Sequence, residues 1–187
     1  MPTDELMSAL DAIYQRRATR AYTKERVSKE LIMQLIDAAV HAPTAMHLEP
    51  WAFVVVQNPS LLERICERAK AVAQTPRGAE HRLLADPAFH IFYNAGTLIL
   101  ICGKPMGPFV TADCWLAAEN LMIAATALGL ASCPIGFAVP ALYDPELKAE
   151  LGIPADVTPV APIVVGYSAA RPSPSPRRAP TILSWKE

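Results

Sequence analysis

The sequence predicts a layered domain, α+β or α/β, in which helices flank a mixed β-sheet. Short apolar, β-branched runs alternate with helical segments that open on recognisable N-cap residues, and such alternation builds layers. One segment, residues 113–128, is apolar nearly all round and so calls for cover on every side. At 187 residues the chain is one domain's worth, long enough to bury a substantial core.

The first helical pattern runs from about Asp4 to Arg16, with Leu6, Leu10 and Ile13 on one face. Ser28 is a good N-cap and Glu30 suits the positive end of a helix, which predicts a helix from Lys29 to about Val40. Its polar stripe is Glu30, Gln34, Asp37 and His41, and the apolar remainder reads as mostly buried. Trp51 to Val56 is a short β-branched run between Pro50 and the turn Asn58-Pro59, hence a buried strand. Asn58 as N-cap, with Pro59 at the first helical position, starts a helix reaching about Ala73. Gln74 to Pro87 is polar, carries Pro76 and Gly78, and reads as a loop or lid.

Thr97 to Cys102 is the second buried strand, and the central helix from Asp113 to Leu128 is stopped by Gly129. Ala131 to Ile135 is a third, short strand. Asp144 caps and Pro145 opens a helix ending near Gly152, and Ala161 to Gly166 is the fourth strand. Beyond Ser168, the prolines at 172, 174, 176 and 180 forbid a regular helix and favour an extended arm. Ordering such an arm costs entropy unless its apolar end, Ile182, Leu183 and Trp185, docks on something. The expected division is a domain over residues 1–167 and an arm over 168–187.

Hydrophobic residues make up 52% of the chain and charged residues 19%, with a mean hydropathy of +0.21. A second copy of the chain is the natural cover for that excess of apolar surface, so a homo-oligomer is expected. The formal net charge of -1 and pI near 6.4 give no field that attracts nucleic acid or an acidic membrane. The acidic start Met1 to Glu5 lacks the basic and apolar regions of a signal peptide. The longest apolar run is interrupted by Glu119, Asn120 and Thr126, which makes it a buried helix and no membrane span. Cys66, Cys102, Cys114 and Cys133 show no Cys-x-x-Cys spacing, and read as free thiols in a reducing cytoplasm.

Arg16, Arg17 and Arg20 put three guanidinium groups within five residues. Their planar forks suit a phosphate better than lysine does, although a solvated basic turn or a nucleic-acid contact satisfies the spacing as well. Arg171, Arg177 and Arg178 form a second basic cluster, and two local anion sites in a nearly neutral chain point to one shared ligand. Pro43 to Trp51 is a Pro-bounded polar turn with Thr44, His47 and Glu49, where His47 is either a ligand or a turn histidine. Phe89, His90, Phe92 and Tyr93 make either an aromatic wall or ordinary packing. Cys133 lacks a positioned base in the sequence, and Asn120 reads as a buried hydrogen-bonding tie. There is no Gly-x-Gly-x-x-Gly fingerprint and no Walker loop, which argues against a dedicated dinucleotide domain.

The segment from Arg16 to Tyr22, followed by Pro43 to Trp51, resembles the N-terminal signature of the nitroreductase family. Asp113 to Ala125, followed by Leu128 to Phe137, is similar to that family's central helix and the loop after it. With the arm, the resemblance runs from Ile13 to Trp185. It implies an α+β three-layer sandwich forming an intertwined homodimer, with FMN at the interface and NADH or NADPH as electron donor. It also implies reduction of nitroaromatics, quinones or similar electron-poor acceptors by ping-pong hydride transfer. The same resemblance admits an enone reductase, a reductive dehalogenase, a flavin-fragmenting enzyme or a non-catalytic flavin-binding module.

The resemblance implies that Arg16, Arg17, Ala18 and Arg20, with Arg177 or Arg178 of the arm, hold the FMN phosphate and ribityl chain. It assigns flavin contacts across the dimer interface to Pro43, Thr44, Ala45, His47 and Glu49. Pro134, Ile135 and Gly136 lie beside the flavin, with the backbone amides of the last two at N5, where glycine permits close approach. Phe89, His90, Phe92 and Tyr93 fall to the substrate pocket. Ala18 stands where the family has Ser, Thr44 where it has Ser, His47 where it has Asn, and Glu49 where it has Gln. No metal is implied.

Overall fold

The computed structural model describes residues 7–73, 84, 86–170 and 176–187. The expected lid, residues 74–87, lies for the most part outside the described residues, as does Arg171.

Six α-helices are described: α1 (Ala9–Gln15), α2 (Lys29–Val40), α3 (Pro59–Ala73), α4 (Val110–Ala127), α5 (Val139–Leu142) and α6 (Pro145–Glu150). Four strands, β1 (Trp51–Val56), β2 (Thr97–Gly103), β3 (Ala131–Pro134) and β4 (Thr158–Gly166), form one sheet in the order β1-β2-β4-β3. Short 3-10 turns occupy Ala45–His47 and Gly136–Ala138. Local chemistry accounts for most boundaries. Ser28 accepts a hydrogen bond from Leu31 N–H at the start of α2, Asn58 one from Leu61 N–H at the start of α3, and Asp144 two from Glu146 and Leu147 at the start of α6. Central α4 starts three residues before the expected Asp113, behind Phe109, which makes no side-chain cap. Strand β4 also starts three residues early, because Pro159 and Pro162 are tolerated in a ladder that shifts register between Ile101 and Cys102.

The sheet corrects the expectation of mixed strand directions. All three ladders are antiparallel, and the parallel pairing is the isolated bridge between Ala18 and Ser132. Strands β2 and β3, joined through α4, do run in the same direction, as an alternating pattern predicts. They never pair, because β4 inserts between them and is antiparallel to both.

Two apolar layers cover the sheet. Leu98, Leu100 and Cys102 of β2 face one core with Ile65 of α3 and Leu142 of α5, while Ile99 and Ile101 face the other with Leu35 of α2 and Leu121 of α4. Strand β2 is buried along its whole length. At about 1.5–3 kcal/mol per fully buried aliphatic side chain, that strand anchors both layers. Asn120 ties α4 to α2 by donating to Ala38 O at 3.2 Å. All four cysteines are free and buried.

Within one chain, burial is incomplete at several of the apolar elements. Strand β1 lies at the sheet edge, so Val55 is exposed. Leu10, Ile13 and Tyr14 on α1, Met33 and Val40 on α2, and Trp115 and Leu116 on α4 are exposed as well. Within one chain, α4 is covered by the sheet and α2 but is open on its Trp115–Leu116 side. No helix among the described residues is long and apolar enough to cross a membrane.

Candidate active site

The arginine segment is held in place by backbone pairing. At the end of α1, Arg16 N–H donates to Ala12 O, and the chain then turns extended. Ala18 bridges Ser132, Thr19 N–H donates to Ser132 O at 3.1 Å, and Tyr22 bridges Ser168. Residues 18–19 therefore pair with the free edge of β3, and residues 21–23 with the segment that follows β4. The Arg16 guanidinium pairs with Glu119 of α4 at 3.3 Å. Arg17 folds back to donate to the carbonyls of Tyr14 and Arg16, at 2.6 and 2.8 Å.

Arg20 instead projects to a cavity of about 350 Å³ whose other walls are Tyr93 and the run Cys133 to Phe137. A second cavity, of about 340 Å³, shares Arg20 and Tyr93 and adds Tyr22, Phe89, His90 and Asn94. Cavities of this size belong to the small-ligand range. The Phe89 and Tyr93 rings meet edge to face at 5.8 Å. Tyr93 and Asn94 hold φ values of 52° and 60°, conformations that non-glycine residues adopt at a cost, and that recur at functional sites.

Beyond β3 the chain continues in register for one more bond, with Ile135 N–H donating to Pro162 O at 2.8 Å. That bond corrects the expected pairing of Ile135 and Gly136 amides, since the first is committed to the sheet. Gly136 opens the 3-10 turn, where an N–H has no intrahelical partner, and a Cβ built there would meet nothing within 4 Å. Burial pushes the Cys133 thiol above its ordinary range, against the pull of Arg20 and Arg16. The Tyr22 hydroxyl is raised by burial too, and the Tyr22 and Ser132 hydroxyls are buried without a hydrogen-bond partner among the described residues.

The Pro43 to Glu49 segment lies elsewhere and lines neither cavity. It is a strained turn: Met46, His47 and Glu49 have φ values of 55°, 53° and 47°. Ala45 N–H donates to the buried Asp113 carboxylate at 3.2 Å, and Glu49 N–H to the Thr44 hydroxyl at 3.4 Å. His47 and Glu49 are exposed, as are Arg177 and Arg178 on the tail.

The structure thus joins Arg20, Phe89, His90, Tyr93, Pro134, Ile135 and Gly136, with Arg16 and Ala18 on the adjoining segment, whereas Arg17 lines a different cavity with Gln15, Thr19 and Thr126. Phe92 is a correction, because it is fully buried in the core and its place in a wall falls to Phe89 and Tyr93. In the sequence, Tyr22 and Asn94 are marked only by standing within two residues of Arg20 and Tyr93, and Asp113 only as a helix start.

The sequence itself places the chain. Residues 13–167 match the family described as the nitroreductase family. The chain belongs to the nitroreductase family. A nitroreductase from Bacteroides fragilis, solved with bound FMN, is 30% identical and superposes with a TM-score of 0.86 over 96% of this chain and 100% of that one. An iodotyrosine deiodinase bound to FMN and 3-iodo-L-tyrosine is 25% identical, with a TM-score of 0.75 over 96% of this chain and all of its own. An NADH dehydrogenase from Thermus thermophilus is 25% identical over 202 aligned positions, covering 92% of each chain. This nitroreductase-family fold is the three-layer α+β sandwich described above.

Proposed function

We propose that this nitroreductase-family chain binds FMN and passes hydride from NADH or NADPH to an electron-poor acceptor such as a nitroaromatic or quinone. The carrying observation is the Arg20 guanidinium in the wall of a cavity completed by Tyr93 and Pro134 to Gly136, with Arg16 and Arg17 a few residues before it in the chain. The donor chemistry fits FMN: guanidinium forks suit a phosphate, an aromatic-edged cavity suits a flat ring, and Tyr22, whose buried hydroxyl has no partner among the described residues, stands in its wall. When bound, FMN supplies the hydride chemistry itself.

The chain's own residues position and shield. Arg16 and Arg17 neutralise the phosphate, Arg16 exchanging Glu119 for it, while Arg20 sets positive charge beside the ring system. Gly136 lets the ring approach the backbone and offers its N–H as donor. The edge-to-face pair Phe89 and Tyr93 excludes water from the acceptor side. Thr44, His47 and Glu49, remote within one chain, serve the site of a second copy, and Arg177 or Arg178 of the arm reaches a phosphate in the same way. The homodimer this requires buries Leu10, Ile13, Tyr14, Trp115 and Leu116.

The deiodinase likeness favours one further acceptor class, halogenated phenols, at the same site. The test is a visible spectrum of the purified protein and an FMN titration by fluorescence quenching, followed by NADH and NADPH oxidation with a nitroaromatic, a quinone or a halophenol. Binding at micromolar FMN and parallel double-reciprocal lines are expected. A protein that takes up no FMN overturns the reading, and intersecting lines overturn the shared cavity.

A further inference from the structure

Where His90 leaves the wall of the second cavity and meets α3, three side chains of different donor type converge. Glu63 and Cys66, three residues apart, share one face of α3, and His90 comes from the segment leading into β2. One donor atom from each lies within 4.8 Å of the other two. His90 Nε2 and Glu63 Oε2 are 3.3 Å apart. A tetrahedral ion with bonds of roughly 2.0–2.1 Å to nitrogen and oxygen holds those ligands about 3.3–3.4 Å apart, so this pair already stands at the edge length of the polyhedron.

An ordinary ion pair is the competing account, and the surroundings disfavour it. His90 is half-buried, and burial lowers its affinity for a second proton, with Lys70 acting in the same direction and Glu63 against it. A neutral imidazole beside a carboxylate and a thiol is a ligand set for a borderline-soft cation. We propose that Glu63, Cys66 and His90 form a three-ligand site for a divalent cation of the zinc class, with its fourth position open to solvent.

Charge and tautomer set the strength of the site. The Cys66 thiolate and the Glu63 carboxylate balance the ion's two charges, and Glu67 adds to their field. Lys70 opposes it, with its ammonium donating to the Asp86 and Pro87 carbonyls, both at 3.2 Å. Cys66 releases its proton to solvent on binding. His90 Nδ1 accepts from Phe92 N–H at 3.2 Å, so Nε2 carries the ring proton. Ligation through Nε2 moves that proton to Nδ1 and gives up the Phe92 contact, which weakens the site. A bound ion staples α3 to the segment carrying Phe89 and Tyr93, and thereby fixes the wall of the second cavity.

The site is independent of FMN and is tested without it. Full-length protein, treated with a chelator and dialysed, is titrated with zinc chloride by calorimetry, and stoichiometry is read by native mass spectrometry. One zinc per chain is expected, weakened about 10-fold or more in Glu63→Gln and in His90→Gln, and lost in Cys66→Ala. The Glu63→Gln and His90→Gln variants carry the test if Cys66→Ala fails to fold. Zinc that binds all variants like the parent sits elsewhere and overturns the proposal, and so does a parent that takes up none at submillimolar zinc.

Discussion

The Arg20 guanidinium carbon lies 6.0 Å from the centre of the Tyr93 ring, and these two side chains wall both cavities. At that range the cation–π attraction is about 0.5–1 kcal/mol, too little to explain why a cation is kept there. A charged hydrogen bond to a ligand contributes roughly 1.5–3 kcal/mol. Arg20→Ala is therefore expected to weaken FMN binding about 10-fold or more, while Arg20→Lys, which keeps the charge and loses the fork, falls between. A fluorescence titration reads both. An alanine variant that binds FMN like the parent removes Arg20 from the site.

Tyr22 buries its ring against Gly166, where a Cβ would stand 2.9 Å from ring atom Cδ1, and its hydroxyl has no partner among the described residues. An unsatisfied buried hydroxyl costs stability, whereas the ring contributes its packing. Tyr22→Phe is expected to match the parent or exceed it by up to about 1 kcal/mol in urea denaturation of the FMN-free protein, and Gly166→Ala to lose roughly 1–3 kcal/mol. A Tyr22→Phe variant less stable by more than about 1 kcal/mol means that the hydroxyl is satisfied.

What the sequence made legible was local. Ser28, Asn58-Pro59 and Asp144-Pro145 mark their helix starts because capping is a contact between near neighbours. The start of α4 escaped because Asp113 has the chemistry of a cap but spends its carboxylate on Ala45, sixty-eight positions away. The insertion of β4 between β2 and β3 is a long-range choice that no periodicity encodes. At the site, the arginine segment and the run from Pro134 to Gly136 stand out by composition. That Ile135 N–H is committed to Pro162 follows from ladder register, which only the assembled sheet reveals.

Stability should fall in acid through Asp144. Its hydrogen bond from Arg68, and then those from the N–H groups at the start of α6, hold this carboxyl below its ordinary value of 3.8. A depressed folded-state value stabilises the protein above the unfolded value, and that contribution disappears as pH falls through the folded one. Asp144→Asn keeps a capping oxygen and removes the charge. The stability difference between parent and variant should be present at about pH 6 and shrink below about pH 4, as read by urea midpoints. A difference constant with pH would show that Asp144 titrates alike in both states.

The arm supplies the last prediction. Ile182, Leu183 and Trp185 are 63%, 95% and 76% exposed on one chain, at the end of a segment that holds Arg177 and Arg178. Fixing such a segment costs about 1–2 kcal/mol per residue in backbone entropy, which only burial of its apolar end can offset. The open faces of α1 and α4, with Leu10, Tyr14, Trp115 and Leu116, offer apolar surface on a second copy for that burial. If the arm crosses to the partner and brings an arginine to its phosphate, one segment serves both assembly and ligand. Deleting residues 169–187 should then weaken the dimer and the FMN affinity together, as measured by sedimentation and FMN titration of the truncated chain. A truncated chain that stays a tight dimer but loses FMN affinity would separate the two roles. One that keeps both would show that the arm performs neither.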